Sequence, residues 1–141
     1  MATPGRGNDP VTLSSGDRLD ILDLLARADT AATRRDTTAY LSYFTEDAVL
    51  DGEKGEHRGR SALAGAVGPV WASEGPASSH LTLNAVIDPV EGHPDEATAT
   101  STLVVVGAGP SFAILDVATI VQQLVKVDHV WRIARRHVNS P

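Results

Sequence analysis

Residues 34–52 read RRDTTAYLSYFTEDAVLDG, and the way this run divides decides the fold. Arg34-Arg35 interrupts the helical spacing of the segment before it. Asp36 is placed to cap a short helix, TTAYLSYF, because its side chain can accept from the unpaired N–H groups of a first turn. Tyr40 and Phe44 then fall on one face of that helix. Glu46-Asp47 reads as a turn between helix and strand, and Ala48–Asp51 as a short strand. Upstream, Ser14 with Asp17 three residues on reads as a capping-box start. Leu22, Leu25, Ala28 and Ala32 follow at helical spacing. Downstream come a polar loop, GEKGEHRG, and a third helix over Arg60–Trp71, which Pro69 is expected to bend or end. From Ser79 the period changes to that of strands: His80–Ile87, Ala97–Val106, Phe112–Val127 and His129–Val138, rich in Val, Ile and Thr. Three helices followed by strands on short turns give an α+β domain with a mainly antiparallel sheet.

The composition narrows what such a domain does. The chain has 141 residues, one domain's worth, with residues 1–14 read as a flexible tail and 15–139 as the folded unit. Aromatics are 4%, so Ala, Val and Leu must fill the core. The net charge is −6 with no block of Lys or Arg, which argues against nucleic acid or an anionic membrane as partner. There is no cysteine, hence no disulfide framework or thiolate metal site, and no His/Glu motif with metal-ligand spacing. No apolar run is long enough to span a membrane, and the N-terminal stretch lacks a secretory apolar region, so the expected location is the cytoplasm. GAGP at Gly107–Pro110 is a hairpin turn rather than a nucleotide fingerprint, and no G-x-S-x-G elbow is present.

The order and spacing of RRDTTAYLSYFTEDAVLDG (34–52), GRSAL (59–63), HLTLN (80–84) and VDHVWRIARRHV (127–138) resemble the SnoaL-like branch of the NTF2-like superfamily. The resemblance covers about residues 15–138. It implies a cystatin-like cone: three N-terminal helices and a strongly curved sheet wrapped around the first, with a pocket at the open end. Relatives include ketosteroid isomerases, scytalone dehydratase and polyketide cyclases, alongside non-catalytic carriers and dimerisation modules. The isomerase's general-base position falls on Gly52, next to Asp51, and its Tyr and protonated Asp fall on Ala28 and about Gln122, so that chemistry is not expected. Scytalone dehydratase compares differently. Its first pocket histidine matches His80, its helix-one Tyr-Asp pair falls on Ala32-Thr33, and its second histidine falls near Leu115–Val117, where Asp116 stands.

Candidate site residues follow. His80 is the candidate catalytic acid/base, since an imidazole exchanges protons near neutral pH, and Asp116 is its candidate orienting carboxylate. Tyr40, Trp71, Asn84 and Gln122 are candidate substrate-binding residues. Three of them have a plainer alternative: His80 as a pocket-wall histidine, Tyr40 packed with Phe44, Trp71 as a core anchor. His80, Thr82 and Asn84 share one face of their strand and Leu81 and Leu83 the other. His137 shares a face with Trp131 and Ile133, which would turn it inward, and the direction of Asp51 stays open. Two functions stand: a cofactor-independent acid/base enzyme (dehydratase, cyclase or isomerase type) acting on a small, largely apolar ring-containing molecule, or a non-catalytic ligand-binding or dimerisation module. Phe112–Val127 is apolar on both faces, Ile114 and Val125 as well as Leu115 and Leu124, which is more than one core requires. A homodimer through the outer face of the sheet is therefore expected.

Overall fold

The computed structural model describes residues 12–110 and 112–140. In chain order the elements are α1 (Ser15–Thr33), α2 (Thr37–Ser42), β1 (Phe44–Gly52), β2 (Gly55–Arg58), α3 (Arg60–Ser73), β3 (Ser78–Val90), β4 (His93–Gly107), β5 (Ala113–Val127) and β6 (Val130–Asn139). The strands form one six-stranded sheet in the order β2-β1-β6-β5-β4-β3. Every neighbouring pair is antiparallel except β1 and β6. The α+β reading therefore holds.

Local chemistry explains most boundaries. Ser14 Oγ accepts from the Asp17 N–H at 3.0 Å and Asp36 accepts from the Ala39 N–H at 3.0 Å, so both helices start at their capping side chains. The capping box is not reciprocal, because the Asp17 carboxylate leaves the cap and accepts from the Trp131 indole and Lys126, each at 3.0 Å. Asp128 and His129 both take positive φ, the geometry of a tight hairpin between β5 and β6. Three sequence expectations shift. The loop GEKGEHRG contains β2, a hairpin partner of β1. Glu46 and Asp47 lie within β1, exposed, where its pairing with β6 is interrupted between Phe44 and Val49. Pro69 does not end α3, which runs to Ser73. The residue before it is Gly68, which has no Cβ to collide with the proline ring. Residues 1–11 of the expected tail lie outside the described residues. Leu13 is buried in the core.

Curvature comes from three places where one strand carries an extra residue: between Leu83 and Val86 in β3, at Leu115 in β5, and at Ala134 in β6. Such bulges bend a strand and raise its twist. The concave face carries small buried side chains (Ala97, Ala99, Ser101), and α1 lies against β3 and β6 with Ala28, Ala31 and Ala32 buried. Phe44, Leu63, Leu124 and Ile133 complete the core.

Candidate functional site

β3 is an edge strand, and α1 covers its open edge. The His80 N–H donates to Thr33 Oγ1 at 2.9 Å, and the Thr82 N–H donates to Asp29 Oδ2 at 2.8 Å. Asp29 and Thr33 stand one turn apart on α1, matching the alternate outward N–H groups of a strand. These bonds satisfy backbone donors that an edge otherwise exposes and hold β3 in register with the helix.

That register sends His80 inward, 7% exposed. Its Nε2 lies 2.7 Å from Glu74 Oε1, at the C-terminal cap of α3. The same oxygen accepts from Ser78 Oγ at 3.0 Å and stands 3.6 Å from Arg35. Arg35 in turn donates to Ser78 Oγ at 2.9 Å and to the Gly75 carbonyl at 3.2 Å. The turn after α3 is thus tied to the start of β3, and the imidazole is held from one side by a carboxylate that has partners of its own.

His80 and Glu74 line a cavity of about 260 Å³ inside the cone. Ala32, Val67, Trp71, Leu103 and Val105 give it apolar walls, and Tyr40 and Arg136 join the pair as polar groups. An apolar concavity with few convergent polar groups is the usual form of a small-molecule site. Tyr40 packs against Phe44 and edge-on against Trp71, with ring centroids 5.0 and 5.2 Å apart. Burial pushes its phenol above the ordinary tyrosine value. Tyr40 and Trp71 therefore serve both as core and as cavity wall.

The remaining candidates fall elsewhere. Asp116 lines the cavity but makes no hydrogen bond to His80, whose ring partner is Glu74. Val105 pairs with both residues, one on each side, which places them two strands, about 10 Å, apart. The carboxylate at His80 is Glu74. Asn84 is exposed at the β3 bulge with φ 56°, because the extra residue ends the alternation that would have kept it in line with His80 and Thr82. Gln122 is fully buried beside Arg136 on the neighbouring strand and its Oε1 has no partner, but it is not part of the cavity lining. His137 is exposed. The extra residue at Ala134 flips the parity of β6 after Ile133, so Arg136 turns inward and His137 outward. His137 Nδ1 then meets Asp51 Oδ1 at 2.6 Å, and Arg135 binds the other oxygen. Although burial opposes its charge, these two partners hold Asp51 below the usual carboxylate range, at the cavity mouth.

Three functional candidates escaped sequence reasoning: Glu74, Asp29 and Arg136. Asp29 sits among the buried residues of α1, and burial, set partly against the charge of Arg136, pushes its carboxyl above the ordinary value. Its position, four residues after Leu25 and three before Ala32, was a signal: a carboxylate on an apolar helix face. Glu74 carried a weaker one, an acid closing a helix just before the turn that leads to His80. Among the described residues no group of three His, Cys, Asp or Glu is placed to hold a metal ion, and no helix is long and apolar enough to cross a membrane.

Comparison with known proteins agrees with this architecture. A protein of unknown function with a cystatin-like fold from Nostoc punctiforme is 27% identical, with TM-score 0.82, over 92% of this chain and 94% of that one. A protein of unknown function from Mycobacterium tuberculosis is 30% identical, with TM-score 0.77, over 88% and 71%. An NTF2-like protein with a cystatin-like fold from Novosphingobium aromaticivorans is 26% identical, with TM-score 0.77, over 89% and 82%. No curated protein matches the chain. The family model of the SnoaL-like domain matches residues 14–137. With that span and this cone, the chain belongs to the SnoaL-like domain family of the NTF2-like superfamily.

Proposed function

We propose that the chain is a cofactor-independent acid/base enzyme of the dehydratase, cyclase or isomerase type, acting on a small, largely apolar ring-containing molecule. The observation that carries this reading is the buried His80–Glu74 pair on the wall of a cavity that also holds apolar walls and a few other polar groups. With Glu74 as carboxylate, Nε2 is the donor of that bond and Nδ1 keeps the lone pair that takes a proton. Proton transfer from carbon beside a carbonyl is the step such a base serves, and one positioned general base contributes roughly 10²–10⁴-fold. Glu74 is the positioning residue, and Tyr40 and Trp71 bound the ring of the substrate.

The test uses α-tetralone, a bicyclic ketone, as probe. Its α-proton exchange in D₂O is followed by NMR with the parent protein and with His80→Gln, which preserves size and hydrogen bonding but takes up no proton at neutral pH. The parent is expected to accelerate exchange and the variant to lose that acceleration while still binding the ketone. Equal rates in parent and variant would remove the catalytic assignment. They would favour the second reading, a ligand-binding module, for which the closed Arg35–Ser78–Glu74–His80 network speaks as a purely structural wall.

The homodimer belongs with this proposal. Leu81, Val104 and Val117 form a row in register across β3, β4 and β5 on the convex face, flanked by the exposed Leu83 and Ile114. Thr102 and Thr119 are its polar neighbours, and no charge interrupts the row. A patch continuous across three strands and free of like-charge repulsion suits a second copy of itself.

A further inference from the structure

Arginine is charged at every working pH, and a buried guanidinium without an acceptor is costly. The half-buried arginines of this chain each find at least one acceptor, although Arg60 keeps a buried Nε without one. Arg35 donates to Ser78 and Gly75, Arg60 to the Phe44 carbonyl, Arg132 to the Ser42 carbonyl, and Arg135 to Asp51. Arg136 is more buried than any of them, at 6% exposure, and is the exception. Among the described residues no acceptor takes a hydrogen bond from it, and no carboxylate oxygen lies within 4.0 Å. The Asp29 carboxylate feels its charge, but Oδ2 of that carboxylate accepts from the Thr82 N–H. The β6 bulge aims Arg136 at the cavity, where it stands beside Leu50 of β1 and Gln122 of β5.

We propose that the ligand of this cavity carries a carboxylate, and that Arg136 binds it. A planar guanidinium matches a carboxylate in a fork of two parallel hydrogen bonds, and does so most strongly where water is excluded. The apolar walls then receive the ring system attached to that carboxylate. Selection happens inside the cone rather than at its mouth, where Asp51, Glu53, Lys54 and Asp116 present both signs of charge. The inference rests on the cavity being a ligand site, as proposed above, but not on proton transfer at His80.

The experiment compares α-naphthoate with α-naphthamide, its neutral isostere, by calorimetry on the parent protein and on Arg136→Met, which keeps an apolar stem of similar length. The parent is expected to bind naphthoate about tenfold to a hundredfold more tightly than naphthamide, the range of a charged hydrogen bond. Arg136→Met is expected to lose that preference while retaining naphthamide. It should also melt no lower than the ligand-free parent, since it removes an unpaired buried charge. An absent preference in the parent, or no binding of either probe at millimolar concentration, overturns the proposal. So does a preference that survives in Arg136→Met. Collapse of that variant would show the guanidinium already paired within the fold, and overturns it too. Retained preference with no tetralone exchange would instead defeat only the catalytic reading.

Discussion

At single residues, backbone geometry decides what chemistry this cone can carry. Gly52 occupies the position that bears the general base in ketosteroid isomerases, by the resemblance drawn from the sequence. A Cβ there would stand 2.8 Å from the Val138 carbonyl oxygen. The approach of β1 to β6 leaves no room for a side chain, so the isomerase base is excluded here by sterics as well as by sequence. Gly52→Ala is expected to lower stability by about 1–3 kcal/mol, the usual cost of overpacking. Chemical denaturation checks it, and an unchanged midpoint would mean that the two strands separate freely at this point. Gly52 was legible as a missing carboxylate. Glu74 was not legible as the partner of His80, because that contact depends on how the turn SEGPASS folds back, and the network of Arg35, Ser78 and Gly75 that folds it is visible only in three dimensions.

Helices and strands were read well where their signals are local. The caps at Ser14 and Asp36, the end of α1 near Arg34 and the tight Asp128-His129 turn all depend on a few adjacent residues. The bulges do not. Whether Ala134 or its neighbour is left unpaired is settled by packing against β5 and β1, and that one residue exchanges the faces of Arg136 and His137. Sequence alternation extrapolated through it gave the wrong histidine an inward direction and passed over the arginine. Asp17 shows how α1 is tied to the sheet by chemistry that its cap did not announce. Hydrogen bonds from the Trp131 indole and then Lys126 hold its carboxyl below the ordinary value. A depressed carboxylate contributes stability above its unfolded pKa and loses it as pH falls through the folded one. Asp17→Asn is expected to cost about 1 kcal/mol near neutral pH and to flatten the loss of stability below about pH 4. Thermal melts from neutral to acidic pH read both effects. Parallel curves for parent and variant would contradict the assignment.

For the whole molecule, a curved sheet divides labour between its faces. The concave side holds α1, the cavity and the buried polar groups, and the convex side carries the Leu81–Val104–Val117 row. Sedimentation at micromolar concentration is expected to show a species of twice the 14.8 kDa chain. Leu81→Lys combined with Val117→Lys should return it to the monomer, and a parent that already sediments as a monomer defeats the dimer. The central claim lies on the concave side: the proton moves at His80, and Glu74 rather than Asp116 positions it. The most direct measurement is the rate of α-tetralone exchange, resolved into kcat and KM, for His80→Gln, Glu74→Gln and Asp116→Asn. Expected are a loss of roughly 10²–10⁴ in kcat for the first and about tenfold or more for the second, with KM held in both and the third close to the parent. A kcat that falls in Asp116→Asn but not in Glu74→Gln, or that survives in His80→Gln, would contradict the account.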